Sequence, residues 1–298
     1  MSNRIATWHN IGTDVTNCTS TEQVLETAGI NEFISTEPIT TESGIIIPGS
    51  VATVYPDGTP IGIVGDKYEV IQNSEAFSFL DYLDATPVKA GRTNTGLNYI
   101  IAEMGESKIL GDEFKLYTCL ENSFNGRYPI GAVLTPLRIV CQNQFPAVFS
   151  KKNANNIIRI RHNSEASWRI EAAKSIMAEQ SKTIELLGKE AEKYANIQMS
   201  QSQFNKIVKD LFPITDDMTE RQKNTMLKRR TQLISEFNAE DVANFRNTMW
   251  GAVLAFTGYT THSENKQTKN ADENKFMAVT LNPQFAQFLA ILDARAVA

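Results

Sequence analysis

The chain has 298 residues, 42% of them hydrophobic, with 29 Lys/Arg against 34 Asp/Glu and a formal net charge of −5. That length and apolar content suit one large domain or two modest ones and exclude a disordered chain. No run of eighteen apolar residues offers a membrane span, and no basic start followed by an apolar run offers a secretory signal.

The pattern Ser20-Thr-Glu-Gln23 has capping-box form, and Gly29 supplies a stop, so a short helix is expected between them. From Phe33 to Val70 the texture is β. Strands are expected at Ile45-Ile46-Ile47, Val51–Tyr55, Ile61–Val64 and Tyr68–Ile71, with a Pro56-Asp57-Gly58 turn. A helix starts at Asn73 or Ser74, with Phe77, Leu80 and Leu83 on one face. Leu97–Met104, Phe114–Leu120 and Tyr128–Val133 read as strands, the last two joined by Asn125-Gly126, the strongest hairpin signal in the chain.

Leu137–Cys141 is an apolar run carrying one charge. A short helix is expected over Gln144–Phe149 and a strand over Ile157–Arg161. Beyond His162 the spacing is helical: Ser164 to about Tyr194, Ser202–Leu211, Thr219–Phe237, Ala239–Thr257 and Pro283–Ala294, with an apolar-poor tract at Thr261–Asp272 expected as an exposed loop. The order predicts an α+β protein. An antiparallel or mixed β-sheet with packed helices fills residues 1–162, and a helical part fills residues 163–298, either separable or packed with the first as one unit.

The average charge hides an asymmetry. Residues 1–125 carry 6 Lys/Arg against 17 Asp/Glu, a net of −11, whereas residues 126–174 carry 8 against 2, a net of +6. A separation of this kind can form a polyanion site on an acidic protein, or can pair the basic block with the acidic half. Within the block, Arg127, Arg138, Lys151, Lys152, Arg159, Arg161 and Arg169 interleave with Tyr128, Phe149 and Trp168. Single-strand binders combine cations that follow phosphates with rings that stack on bases. The alternation Arg159-Ile160-Arg161 should put both arginines on one strand face. The competing reading buries the rings and leaves the cations as solvated surface.

Phosphate-loop, dinucleotide-binding, HExxH and GxSxG patterns are absent, so no cofactor or metal is expected. The three cysteines are widely spaced and lack a CxxC pair. That argues against disulfides and structural zinc and fits a reducing cytoplasm. Cys141, with His162 and His9, holds the parts of a thiol nucleophile with its base. The plain alternative is a small buried residue closing a strand.

Several motifs fall in the order of a known family: Trp8-His9 with Gly12-Thr13; Val64-Gly65, Tyr68 and Asn73; Asn122-Ser123 with Gly126; Pro136, Arg138, Cys141 and Asn143; Arg161-His162; Thr248, Trp250-Gly251; and Tyr259 with His262. Together they resemble the phage/plasmid-like protein family (domain-of-unknown-function family 932). The resemblance implies a mobile-element origin and no agreed activity. The element order is also similar to that of phage single-strand annealing recombinases, by architecture alone.

The leading expectation is a non-enzymatic cytoplasmic protein that binds nucleic acid, single-stranded DNA foremost, as a homo-oligomer. It uses Arg127, Arg138, Lys151, Lys152, Arg159, Arg161, Trp168 and Arg169. The alternatives are an enzyme built on Cys141 and His162, and an inhibitor that binds a host protein.

Overall fold

The computed structural model describes residues 11–138, 143–144, 157–177, 181–262 and 283–296. Its architecture is α+β, with two antiparallel sheets concentrated in the first part of the chain and helices dominating the second.

Strand β1 (Thr13–Asp14) leads into helix α1 (Thr21–Ala28). The Ser20 side chain accepts from the Gln23 backbone N–H, and Gly29 closes the helix at φ 64. A glycine carries that left-handed cap without strain. Strands β2 (Ser35–Thr40), β3 (Ile46–Val54) and β4 (Pro60–Gly65) then form a separate three-stranded antiparallel meander. It is an arm: β2 is exposed along nearly its whole length, and β3 becomes buried only at its last two residues.

Helix α2 (Asn73–Ala76) and a 3₁₀ turn at Ser78–Tyr82 return the chain to the large sheet. Its strands are β5 (Thr86–Arg92), β6 (Leu97–Ile109), β7 (Asp112–Ser123), β8 (Ile130–Arg138), β9 (Asn143–Gln144) and β10 (Ile157–Ile160). The strand order is β1-β5-β6-β7-β8-β10, with β9 also on β8. One face of this sheet buries Ile100, Leu120, Ala132 and Ile160 beneath Val24 and Leu25 of α1, Phe77, and Ala166 and Ile170 of helix α3 (Ala166–Met177). The other face carries Tyr99, Ile101, Tyr117, Cys119, Val133 and Leu137.

The remaining helices are α4 (Ser181–Ala195), α5 (Gln201–Leu211), α6 (Glu220–Phe237), α7 (Met249–His262) and α8 (Pro283–Ala296). Helix α7 is buried on every side from Met249 to Thr261, which fits its uniform apolarity. The core of the helical part includes Ile109 and Phe114 from the sheet. No helix among the described residues is long and apolar enough to cross a membrane.

Several details differ from the pattern-based expectations, and the helix expected from Asn73 through Leu83 is a four-residue helix followed by a 3₁₀ turn. Residues Tyr68–Ile71 form no strand, because the Tyr68 hydroxyl donates to the Ser123 carbonyl at 2.8 Å and its ring stacks on His162, which pulls the segment into a packed corner. Strand β5 was not foreseen. Gln144 lies in β9 rather than opening a helix, while 145–149 lie outside the described residues. The expected helix Ala239–Thr257 is a 3₁₀ turn at Glu240–Phe245 followed by α7, with Asn247 at φ 69 between them. Gly251 permits the tight join, since a Cβ there would collide with the Phe245 carbonyl.

Candidate nucleic-acid interface

The Asn125-Gly126 turn between β7 and β8 organises a region that brings the exposed Arg127 and Arg161 to one cleft. Gly126 adopts φ 71, and the Asn125 Oδ1 accepts from the Arg127 backbone N–H at 3.1 Å. The Asn125 Nδ2 donates to the Thr95 carbonyl at 2.8 Å, tying this turn to the β5–β6 turn. The base of the arm packs onto it. The Thr53 hydroxyl donates to the Phe124 carbonyl at 2.7 Å, and a Cβ at Gly62 would sit 2.8 Å from the Asn125 Cα. Turn and arm base therefore form one braced unit.

A cleft of about 630 Å³ opens beside this turn, walled by β4, the turn and the junction between β10 and α3. A second, of about 580 Å³, continues on the far side of Arg127 toward Tyr55 and Thr93–Gly96. The two share Ile63, Asn125 and Arg127, so they form one path with Arg127 at the divide. Each falls in the range of ligand pockets, roughly 300–1,000 Å³. Among the described residues neither lining includes an Asp or Glu, and the cations present are Arg127 and Arg161 in the first cleft and Arg92 and Arg127 in the second.

The cations along the path are not equivalent. Arg127 and Arg161 are exposed, and neither forms an ion pair among the described residues. Arg92, in the second cleft, is already engaged. Its two terminal nitrogens donate to the Glu32 carboxylate at 3.1 and 2.8 Å, and it lies over the Tyr55 ring. Tyr128 is half-buried in the first cleft, held at its hydroxyl by Thr95 at 3.2 Å.

His162 belongs to the wall. It is 9% exposed and stacks on Tyr68 with ring centroids 4.6 Å apart. Its Nδ1 lies 3.3 Å from the Glu69 carbonyl, which can only accept, so that nitrogen carries the proton. Its Nε2 is sealed from solvent without a hydrogen-bond partner among the described residues. Burial holds the imidazole down at about 4, so it is neutral near pH 7. Burial likewise raises the Tyr68 phenol, which stays protonated and keeps its bond to Ser123.

Two of the expected phosphate contacts are corrected. Arg138 is 2% exposed. Its Nη2 lies 2.6 Å from the Asp112 carboxylate, and its Nη1 donates to the Asp241 carbonyl at 2.9 Å. It pins the end of the sheet to the helical part and is closed to any ligand. Arg159 does share strand parity with Arg161, yet its guanidinium folds over Gly131, where a Cβ would collide with it, and meets the Glu121 carboxylate at 3.3 Å. Glu121 is 2% exposed, and burial raises its carboxyl against the opposing pull of Arg159.

Trp168 is 72% exposed, but it lines neither cleft. Arg169 is exposed and bonded to Glu165 at i,i+4. Lys151, Lys152, Phe149, Cys141 and His9 lie outside the described residues. Tyr68 and Asn125 were named only as motif and turn residues, and nothing in local periodicity marks them as walls of a site.

A further cavity, of about 430 Å³, lies by α1 and is acidic, with Glu22, Glu26, Glu32 and Asp81 in its lining. No group of three or more His, Cys, Asp or Glu side chains among the described residues is arranged to hold a metal ion.

No curated protein and no solved structure matches the chain. The family described as Domain of unknown function (DUF932) does match, over residues 60–280, and that span takes in β4, strands β5–β10 of the large sheet, the first cleft's walls and α7. The chain belongs to this family.

Proposed function

We propose that the protein binds single-stranded nucleic acid, DNA foremost, along the path divided by Arg127. One observation carries the reading: in a chain of net charge −5, two adjoining clefts have no Asp or Glu among their described lining residues and present two exposed guanidiniums that form no ion pair among the described residues. Guanidiniums match phosphate oxygens bidentately. Tyr128 lines the same cleft as Arg127 and Arg161 and supplies an aromatic ring on which a base can stack. A flexible single strand can bend through paired clefts of this size, whereas a duplex meets a path divided at Arg127. No acid or base is needed for such binding, and the neutral, enclosed His162 is suited to the wall rather than to proton transfer. In this reading the protein acts in the cytoplasm of a cell that hosts a mobile element.

The test is fluorescence anisotropy with a labelled oligothymidine at rising salt. The unaltered protein should bind at low salt. The Arg127→Ala/Arg161→Ala variant should bind roughly tenfold or more weakly, and its log–log salt slope should be shallower by about 1.4, since each lost single-strand phosphate contact contributes about 0.7. Absence of binding at low salt, or an unchanged slope in the variant, defeats the proposal.

A further inference from the structure

The arm formed by β2–β4 is an unusual surface. Ile45, Ile46 and Ile47 are 66%, 61% and 40% exposed, and Ile63 is 70% exposed. Neighbouring residues on a strand point to opposite faces, so exposed Ile46 and Ile47 mean that the arm's end is covered on neither side. Three consecutive exposed isoleucines at the arm's end mark an interaction site rather than ordinary solvent-facing chain, whereas Ile63, paired with Ala52, sits at the arm's base.

Charge narrows what can cover it. Residues 35–65 contain Glu37, Glu42 and Asp57 and no Lys or Arg. Two arms meeting face to face would oppose these carboxylates with no cation between them, and an anionic lipid surface would repel them for the same reason. The partner surface must therefore be apolar and cationic together.

Helix α6 has that composition. Leu227 is 49% exposed, beside exposed Arg221 and Lys228. Positions 221, 224, 227 and 228 fall on one side of a helix of 3.6 residues per turn. Neither Arg221 nor Lys228 forms an ion pair among the described residues, whereas Lys223 on the same helix is held by Glu220 at 3.3 Å.

We infer that the arm of one copy docks on α6 of a second copy, Ile45–Ile47 against Leu227, with Glu37 and Glu42 facing Arg221 and Lys228. The two surfaces differ, so the contact is head-to-tail and each copy keeps a free arm and a free α6. Such contacts build rings or open chains rather than simple twofold dimers. The inference stands apart from the nucleic-acid reading, since neither Ile45–Ile47 nor any α6 residue lines the clefts.

Sedimentation velocity over a concentration series tests it, without nucleic acid. The unaltered chain should associate as concentration rises. Ile46→Asp should leave a monomer. Glu37→Lys/Glu42→Lys and Arg221→Glu/Lys228→Glu should each weaken association roughly tenfold or more through like-charge contact, and the four changes combined should restore it. All these side chains are exposed, so unchanged circular dichroism melts verify that each variant folds. A chain that stays monomeric throughout, or an assembly indifferent to the α6 reversal, overturns the inference, as does failure of the combined reversal to recover association.

Discussion

Arg159 and Arg161 lie two residues apart with the same strand parity, yet they meet opposite fates. Arg159 folds inward over Gly131 to the enclosed Glu121, while Arg161, just past the strand's end, opens into the cleft beside His162. Arg138 and Arg127 repeat the contrast at the two ends of β8: one is locked to Asp112 in the interior, the other stands at the tip of a turn. A guanidinium within the sheet must bring its own carboxylate, because an unpaired charge there is costly. Where the side chain is exposed, water does that work, and the charge remains available to a ligand. Enclosure beside a carboxylate, not parity or distance from a strand's end, separates the ion-paired arginines from the open ones, since Arg138 is itself the last residue of β8.

Three measurements break or sharpen this contrast. The largest effect should come from Arg138. Arg138→Leu leaves the part-buried Asp112 without its cation and frees the Asp241 carbonyl, so urea denaturation should show a loss of about 2–3 kcal/mol. Asp112→Leu/Arg138→Leu should recover part of that loss, because no charge is then stranded. A loss under about 1 kcal/mol would mean that the pin does not hold the sheet to the helical part.

Next comes His162, the neutral residue between the two classes. Its folded value of about 4 lies below the ordinary 6.5, so across that window the folded state binds fewer protons than the unfolded one. Stability contributed above pH 6.5 is therefore lost as pH falls toward 4, by at most ~3 kcal/mol. Denaturant titrations over this range should show the slope in the unaltered chain and a flatter profile in His162→Gln; equal slopes would remove His162 as its source. The smallest effect is expected at the open arginines. Arg127→Ala and Arg161→Ala should each shift stability by no more than about 0.5 kcal/mol, and a larger loss in a thermal melt would place them among the structural cations.

The elements that the pattern foretold are those with a local cause. Ser20 and Gly29 close α1 as a cap and a left-handed stop, Asn125-Gly126 turns β7 into β8, and Thr219 opens α6 with a capping box, each within a few residues of chain. What it missed depended on distant partners. Tyr68 leaves strand geometry for Ser123 and His162, β5 pairs with β6 despite weak β texture, and the helix expected from Ala239 breaks where Thr248 bridges to Gln198. For the site, the basic block was visible as composition, and Arg127, Tyr128 and Arg161 were among its residues. Asn125 and Ile63 entered the cleft only through packing of the arm against the turn.

By itself, the sequence determined the α+β class, the order of sheet and helices, the basic segment after Asn125-Gly126 and the family motifs, because caps, turns, periodicity and charge are written in neighbouring residues. Only the tertiary structure decided which cations stay open, since that depends on carboxylates brought from afar: Asp112 from the start of β7 to Arg138, Glu121 from its end to Arg159, and none to Arg127 or Arg161 among the described residues. A residue's type fixes its charge. The company it keeps across the sheet fixes whether that charge is spent inside the fold or offered to a ligand.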